Sequence, residues 1–251
     1  MTHPSGAATA KVEEYLETIY NMAMEGEVVI GARLAEKFQV APPSVTEMLK
    51  RLVRDGYIEM DERRQVTLTN QGEELAEAVL RRHRLTERFL VDMLGMQWHQ
   101  VHEEACRLEH FISGAVEQRV VAALGHPTTC PHGNPIPGYV DARNYLADQR
   151  AFRLSQADRD APVRILCISE VVEDEQELIS YLNEKGLKPG QILRLTRRQE
   201  AEASVLLKVA DYEASIPERV ASKIWVVMAE PARPIESVIG LSGKPQTGKD
   251  K

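Results

Sequence analysis

Two stretches of the chain carry ionisable side chains at helical spacing on faces that are otherwise apolar. In the first stretch, His83 and Glu87 are four residues apart, in line with apolar side chains before and after them. The second stretch contains four further candidates, at steps of four, three and one: His102, Cys106, Glu109 and His110. Residues three or four apart share one face of an α-helix, so each group should converge on one side of its helix. Carboxylates and imidazoles on a buried face must be paired or bound to a metal, because desolvating them alone is costly.

Three kinds of site are compatible with this pattern. A single His or Glu on an apolar face is usually a satisfied core residue, whereas several nitrogen, oxygen and sulfur ligands in two aligned groups favour a metal site. A metalloenzyme is a further alternative, since helices that present His, Glu and Cys also build hydrolytic or redox centres. The sequence shows no base or nucleophile beyond the ligands themselves, and we therefore predict that the protein is not an enzyme.

Composition restricts the class of protein and its compartment. The 251 residues, 43% of them hydrophobic, are enough for two domains with cores of their own. No apolar run has the length of a membrane span and the N-terminus lacks an apolar signal core, so a cytoplasmic protein without a membrane partner is expected. The three cysteines are widely spaced, which argues against a disulfide framework. A net charge of −7 argues against nonspecific coating of nucleic acid, but it allows a few cations on one surface that reads a DNA groove.

The N-terminal part has the order of elements of a winged helix-turn-helix. An amphipathic helix over residues 12–24 precedes a short helix from Ile30 and a second helix that starts near Pro43. The outward face of that second helix has small polar residues first and cations later, as in a recognition helix. A hairpin of strands 57–60 and 65–69 follows; a helical bundle with a plain hairpin is the alternative. The predicted DNA contacts are Pro43, Ser44, Thr46, Glu47, Lys50, Arg51 and Arg54 from the helix, and Arg63 and Arg64 from the hairpin tip.

The remaining segments differ in composition and in hydrophobic periodicity. One helix is predicted from about residue 70 to 94 and another from about 98 to 124, carrying the two groups of candidate ligands. The Pro- and Gly-rich stretch that follows is predicted to be an ordered loop or a linker, and its Cys130 and His132 are interpreted as loop residues rather than ligands. Short strands and one helix then predict a small β-barrel. The polar tail, residues 231–251, is predicted to be disordered.

Together these segments resemble the DtxR/MntR family of iron- and manganese-dependent regulators. The matching stretches, over about residues 11–138, are VEEYLETIY, ARLAEKFQVAPPSVTEMLKRLVRDGYI, LTNQGEELA, RRHRLTERFL, VHEEACRLEHFIS and GNPIPG. The last part, with KGLKPGQILRL, resembles the SH3-like module of ferrous-transport accessory proteins. The resemblance implies a mainly α fold with small β parts. Its divisions are a winged helix-turn-helix domain (1–72), a helical dimerisation and metal-binding domain (73–142), a linker (143–160) and an SH3-like small β-barrel (161–230).

The resemblance also implies a function and a set of ligands. The expected protein is a homodimeric repressor of manganese or iron homeostasis genes that binds palindromic operator DNA when metal is bound, and it has no small-molecule substrate. The implied primary site is Glu14, Cys106, Glu109 and His110, with Glu17 as an additional ligand. The implied ancillary site is His83, Glu87 and His102, with Asp174 and Glu177 as the best matches in the SH3-like part.

The ligand types indicate which metal the primary site prefers. Iron-type members carry a methionine where this chain has Glu14, and oxygen ligands favour the harder ion Mn²⁺. The thiolate of Cys106 favours Fe²⁺ and later metals. We predict Mn²⁺ as the preferred activator and Fe²⁺ next, with Zn²⁺, Co²⁺, Ni²⁺ and Cd²⁺ able to substitute in vitro. A winged-helix regulator that responds to an organic ligand, with the His/Glu/Cys group as a buried polar network, is the alternative.

Overall fold

The computed structural model describes residues 9–172 and 174–229. Its N-terminal part contains three helices and a two-stranded antiparallel hairpin. These are α1 (Ala10–Met24), α2 (Gly31–Phe38), α3 (Pro42–Arg54), β1 (Ile58–Met60) and β2 (Val66–Leu68). The order confirms the predicted winged helix-turn-helix, and both strands are shorter than predicted.

The recognition helix α3 is defined by its first turn and its buried stripe. Pro42 and Pro43 occupy the first turn, where a missing N–H removes no helical hydrogen bond. Val45, Leu49 and Leu52 recur at steps of four and three and are buried against α1 and α2. The opposite face of α3 is therefore left for solvent.

The middle of the chain contains α4 (Asn70–Asp92), α5 (His102–Leu108) and α6 (Gly114–Ala123), with a 3₁₀ turn at Glu109–Phe111. Thr69 caps α4 by accepting a hydrogen bond from the amide of Gly72 at 3.1 Å. A Cβ at Gly72 would lie 1.9 Å from the carbonyl oxygen of Tyr57, so only glycine lets the hairpin pack this closely on the helix.

The predicted continuous helix from 98 to 124 is wrong. The chain becomes extended at Ile112, and Ser113 caps a new helix by accepting a hydrogen bond from the amide of Val116. Trp98 does not lie on an inward helical stripe. It lies in the connection before α5 and packs into the core of the C-terminal domain.

The C-terminal domain is a six-stranded antiparallel sheet in the order β3-β8-β4-β5-β6-β7, with short helices beside it. Its strands are β3 (Phe152–Arg153), β4 (Pro162–Ile168), β5 (Ile192–Gln199), β6 (Ser204–Val209), β7 (Tyr212–Pro217) and β8 (Ile224–Met228). Its helices are α8 (Glu175–Glu184) and α9 (Glu218–Ala221), and α7 (Tyr145–Asp148) precedes it. The stretch 143–160, expected to be a linker, contains α7, β3 and the fully buried Leu154.

The C-terminal domain packs against both preceding parts of the chain. Trp98 and Val91 of the middle part contact its core, and the indole nitrogen of Trp98 donates to the side chain of Asn183 at 2.8 Å. In the other direction, Val171 of the C-terminal domain packs on the core of the winged-helix part. The three parts therefore meet at one junction.

None of the helices in residues 9–172 and 174–229 is long and apolar enough to cross a membrane. The tail 231–251, for which disorder was predicted, lies outside the described residues.

Candidate metal centre

Candidate ligands from all three parts of the chain surround a cavity of about 150 Å³ at this junction. Helix α1 supplies Glu14 and Glu17, α4 supplies His83, and α5 supplies His102 and Cys106. The C-terminal domain adds Glu170 and Glu175. We call Glu17, His83, Glu87, His102, Cys106 and Glu109 the ligand cluster.

His83 stands at the centre of the ligand cluster. Its Nδ1 lies 2.5 Å from a carboxylate oxygen of Glu109, and its Nε2 lies 3.2 Å from one of Glu87. The three side chains are 1–3% exposed. The predicted primary and ancillary sets are thus joined through one imidazole.

Two groups of donors around His83 have a spacing that suits a metal ion. The ligand atoms of Glu17, His83 and Glu109 all lie within 4.8 Å of one another, and so do those of His83, His102 and Cys106. The sulfur of Cys106 lies 3.7 Å from Nε2 of His102. Carboxylate, imidazole and thiolate together fit a divalent transition metal.

The four residues predicted for the primary site are not gathered around one point in this structure. Glu14 lines the cavity with an exposed side chain. His110 is turned towards α1, where its Nδ1 lies 2.6 Å from the carboxylate of Glu13, while its Nε2 lies 3.3 Å from Glu109. Glu17, predicted only as an additional ligand, has a carboxylate oxygen within 4.8 Å of ligand atoms of both His83 and Glu109.

A third donor group consists of Glu87, His102 and Glu175. Nδ1 of His102 is buried and makes no hydrogen bond within the described residues, although carboxylate oxygens of Glu175 and Glu87 lie 3.4 and 3.7 Å away. The ligand atoms of all three residues lie within 4.8 Å of one another, a spacing suited to a shared cation.

Asp174 and Glu177, the residues predicted as ligands from the C-terminal domain, lie at the start of α8 and do not line the cavity. Asp174 caps α8 by accepting a hydrogen bond from the amide of Glu177 at 2.8 Å, so its carboxylate is already bound to a backbone N–H group. Glu177 lines a separate cleft between α8 and the winged-helix part. The C-terminal carboxylates at the cavity are instead Glu175, at the first position of α8, and Glu170.

Cys130 and His132 have a partner that sequence reasoning missed. Their ligand atoms form a fully buried group with Glu87, whose carboxylate lies 3.1 Å from Nδ1 of His132. Nε2 of His132 donates to the carbonyl oxygen of Trp98 at 2.8 Å. Glu87 is 45 residues away in sequence, so no local spacing could have found this contact.

Crowding of carboxylates shifts the pKa values of their neighbours. Burial alone would lower the pKa of His102, but Glu175, Cys106 and Glu87 together raise it to about 11. Loss of solvent, with the negative charge of Glu109, raises the pKa of Glu17 to about 8. Burial opposes ionisation of Cys106, but hydrogen bonds with His102 and His83 lower the pKa of the thiol. Protons on Glu17 and His102 thus offset the negative charge of the cluster, and a divalent cation that replaced them would offset the same charge.

The predicted DNA contacts lie on α3 and at the hairpin tip, and most of them are exposed. Arg51 is partly buried and beside Asp55, and the others are exposed on α3 or at the hairpin tip. We call this set the recognition surface: Pro43, Ser44, Thr46, Glu47, Lys50, Arg51, Arg54, Arg63 and Arg64. Arg54 also pairs with Asp55, at 2.9 Å. Such exposed pairs exchange readily for phosphate contacts.

Three family models match successive parts of the chain. Residues 8–66 match the N-terminal DNA binding domain of the iron dependent repressor, and residues 69–138 match its metal binding and dimerisation domain. Residues 152–228 match the FeoA domain.

Curated relatives extend these matches over most of the chain. The iron-dependent repressor IdeR of Mycobacterium leprae is 36% identical over 221 residues, covering 85% of this chain and 95% of the relative. The diphtheria toxin repressor of Corynebacterium efficiens is 38% identical over 192 residues, covering 74% and 83%.

Solved structures agree with this likeness. A manganese-dependent transcriptional repressor in complex with manganese has a TM-score of 0.74 at 30% identity and covers 87% of this chain and 100% of its own. The structure of ScaR with bound Cd²⁺ has a TM-score of 0.73 at 28% identity and covers 87% and 99%.

Proposed function

This chain belongs to the iron-dependent repressor family and is a metal-dependent DNA-binding repressor; from that premise we propose which residues bind the metal and how binding reaches the DNA-reading surface. The observation that carries the proposal is the ligand cluster itself, because its donors come from separate parts of the chain, lie in close groups, and in four cases line one small cavity.

We propose that the activating ion is held by Glu17, Cys106 and Glu109, with Glu14 and His110 completing the set. Glu14 already lines the cavity, and His110 would exchange Glu13 for the ion. A bound divalent ion supplies positive charge that attracts these carboxylates and the thiolate at once. The number of oxygen donors supports Mn²⁺ as the preferred ion and Fe²⁺ as the next, with Zn²⁺ or Cd²⁺ able to substitute.

A second ion is proposed on the other side of His83. His83, Glu87 and His102 form the ancillary set predicted from the sequence, and Glu175 replaces Asp174 and Glu177 as its C-terminal member. The buried Nδ1 of His102 supports this assignment. His132 orients the carboxylate of Glu87 through a contact of 3.1 Å, and Cys130 lies beside His132.

The homodimer is proposed to form through the apolar surface of the middle part. Five large apolar side chains there are more than 40% exposed: Met93, Leu94, Leu108, Phe111 and Val116. Burial of such a patch against a second copy is favourable, and a twofold pair presents two recognition helices at fixed spacing. That geometry matches a palindromic operator, whose half-sites lie in successive major grooves.

Metal binding is proposed to activate DNA binding by holding α1 against α4 and α5. Glu14 and Glu17 belong to the winged-helix part, whereas Cys106 and Glu109 belong to the dimerising part. An ion that needs both sets binds best to one relative arrangement, and this differential affinity is the coupling free energy. By linkage, operator DNA should tighten metal binding by the same factor. The predicted cytoplasmic location, where this DNA lies, is part of the proposal.

A selection experiment tests the function and does not require that the operator sequence be known. A randomised duplex library is enriched on the protein under anaerobic conditions with Mn²⁺, Fe²⁺ or Zn²⁺, or with EDTA. We expect a palindromic sequence to be enriched with metal and lost with EDTA. Equal enrichment in EDTA would contradict the proposal and favour a regulator that answers to an organic ligand.

A further inference from the structure

One short segment of the C-terminal domain lies between the cavity and the helix-turn-helix. Residues 169–172, which we call the strap, follow β4 and precede α8. The side chain of Val171 packs on the core of the winged-helix part. The hydroxyl of Ser169 donates to the carboxylate of Glu25, just beyond the end of α1, at 2.7 Å. The strap is therefore held by the DNA-binding unit, although it belongs to another domain.

The same strap forms part of the cavity wall. The carboxylate of Glu170 lines the cavity, and only 8% of the residue is exposed. Arg84 of α4 donates to it at 2.7 Å, and the guanidinium also donates to the carbonyl oxygen of Pro135. One side of the strap thus contacts the dimerising part while the other contacts the DNA-binding part.

Lys37 connects the strap to α2, the first helix of the helix-turn-helix. Its ammonium donates to the carbonyl oxygens of Val172 at 2.6 Å and Glu170 at 3.1 Å. Lys37 is in the last turn of α2 and lines the same cavity as the ligand cluster. A charged donor shared by two carbonyl groups makes strong, directional bonds that position the backbone on which Glu170 is carried. Arg33, one turn earlier on α2, pairs instead with Glu27 of the winged-helix part itself.

We propose that Lys37 is a positioning residue that couples the metal cavity to the helix-turn-helix through the strap. The inference rests on the proposed function, because it requires that metal and DNA binding be coupled. It adds a second route to the one through α1. Movement of the cavity wall displaces the two carbonyl groups, and these displace α2, which packs directly on the recognition helix α3.

The test measures the coupling rather than either affinity alone. The dissociation constant for Mn²⁺ is determined with and without a saturating operator duplex, and the ratio of the two is the coupling factor. We expect Lys37→Met, which keeps the aliphatic stem, to lower this factor by about fivefold or more. Lys37→Arg should restore most of it, because a guanidinium can donate to the same two carbonyl groups.

Arg33→Met is the matched control, with the same loss of charge on the same helix. It should leave the coupling factor within about twofold of wild type. If Lys37 only contacted DNA, Lys37→Met would lower operator affinity equally with scarce and with saturating Mn²⁺. The coupling factor would then be unchanged, and the proposal would be overturned.

Two further measurements keep the inference open to refutation. If Lys37→Met does not fold, Glu25→Gln weakens the attachment of Ser169 at the other end of the strap and should lower the coupling factor in the same direction. In the metal-free protein, Lys37→Met should also speed hydrogen exchange of the strap amides, and unchanged exchange would contradict the proposal. A wild-type coupling factor of one would mean that DNA does not affect metal binding, and it would refute both the proposed function and this inference. A large wild-type factor that is unchanged in Lys37→Met would refute the inference alone.

Discussion

The recognition surface and the ligand cluster differ in how their charged groups are partnered. On α3, Lys50 and Arg54 are exposed, and the ion pairs present are with the neighbouring Asp55. In the cluster, His83 is buried and contacts Glu109 from a different helix as well as Glu87 from its own. Exposed charges interact weakly with one another and contribute little to stability. A buried charged group interacts strongly with each neighbouring charge, because little solvent screens it.

This difference predicts different consequences for single substitutions. Removing one cation from the recognition surface should subtract one phosphate contact and leave the rest unchanged. Removing one carboxylate from the cluster should change the protonation and orientation of several ligands together. Three substitutions and one pH series test that contrast, with the largest effect expected for Glu109.

Glu109→Gln should produce the largest loss. The amide keeps the shape of the side chain but removes the negative charge that both a metal ion and His83 require. We expect the Mn²⁺ concentration at half-maximal operator binding to rise about 100-fold or more. Fluorescence anisotropy of a labelled operator duplex, titrated with Mn²⁺ without oxygen, measures this.

Glu103→Gln is the control for that experiment. Glu103 is on the adjoining helix α5 but is exposed and pairs only with Arg107 among its salt-bridge partners in the described residues. Its substitution should leave the midpoint unchanged. A midpoint for Glu109→Gln that equals that of the control would remove Glu109 from the proposed ligands.

Glu14→Met should change which ion activates the protein. A thioether is a softer ligand than a carboxylate, so the relative preference should move from Mn²⁺ towards Fe²⁺ by about tenfold. The ratio of the two activation midpoints in paired anaerobic titrations reports this preference. An unchanged ratio would show that Glu14 does not contact the ion.

Arg54→Ala should have a smaller and separable effect. Loss of one phosphate contact should weaken operator binding several-fold and lower the slope of log affinity against log salt by about one. The dissociation constant for Mn²⁺ measured without DNA should not change, because Arg54 is at the end of α3 and does not line the cavity. Arg197→Ala, an exposed cation on β5, is the control. A changed Mn²⁺ dissociation constant without DNA, together with an unaltered salt slope, would contradict the contrast between the two regions.

The pH dependence of the metal-free protein gives the smallest effect. The pKa of Glu17 rises from 4.5 to about 8 on folding, so its protonated form stabilises the fold at low pH. The contribution of Glu17 to the free energy of unfolding is fully present below the pKa of the unfolded chain. It is lost as the pH rises towards the folded-state pKa of about 8. Relative to Glu17→Gln, the wild type in EDTA should lose melting temperature as the pH rises from 5 to 8. Parallel melting curves for the two proteins would contradict the assigned pKa.

Regular patterns made much of the molecule predictable from its sequence. The stripe of Val45, Leu49 and Leu52 predicts α3, and the spacing of His83 and Glu87 correctly places both on one face of α4. The break at Ile112 was not predicted, because the apolar residues on either side keep a helical spacing while Ser113 begins a new helix. Helix capping overrode periodicity at this point.

The sequence by itself determined the winged helix-turn-helix, the helical placement of the candidate ligands on α4 and α5, and the family, because each depends on residues within one or two turns of each other or on contiguous motifs. Only the tertiary structure decided that His83 joins both ligand sets, that Glu175 and Glu170 rather than Asp174 and Glu177 reach the cavity, and that His132 contacts Glu87. These contacts join residues that are tens of positions apart. The packing of the three domains determines which of their side chains are in contact, and spacing along the sequence does not predict these contacts.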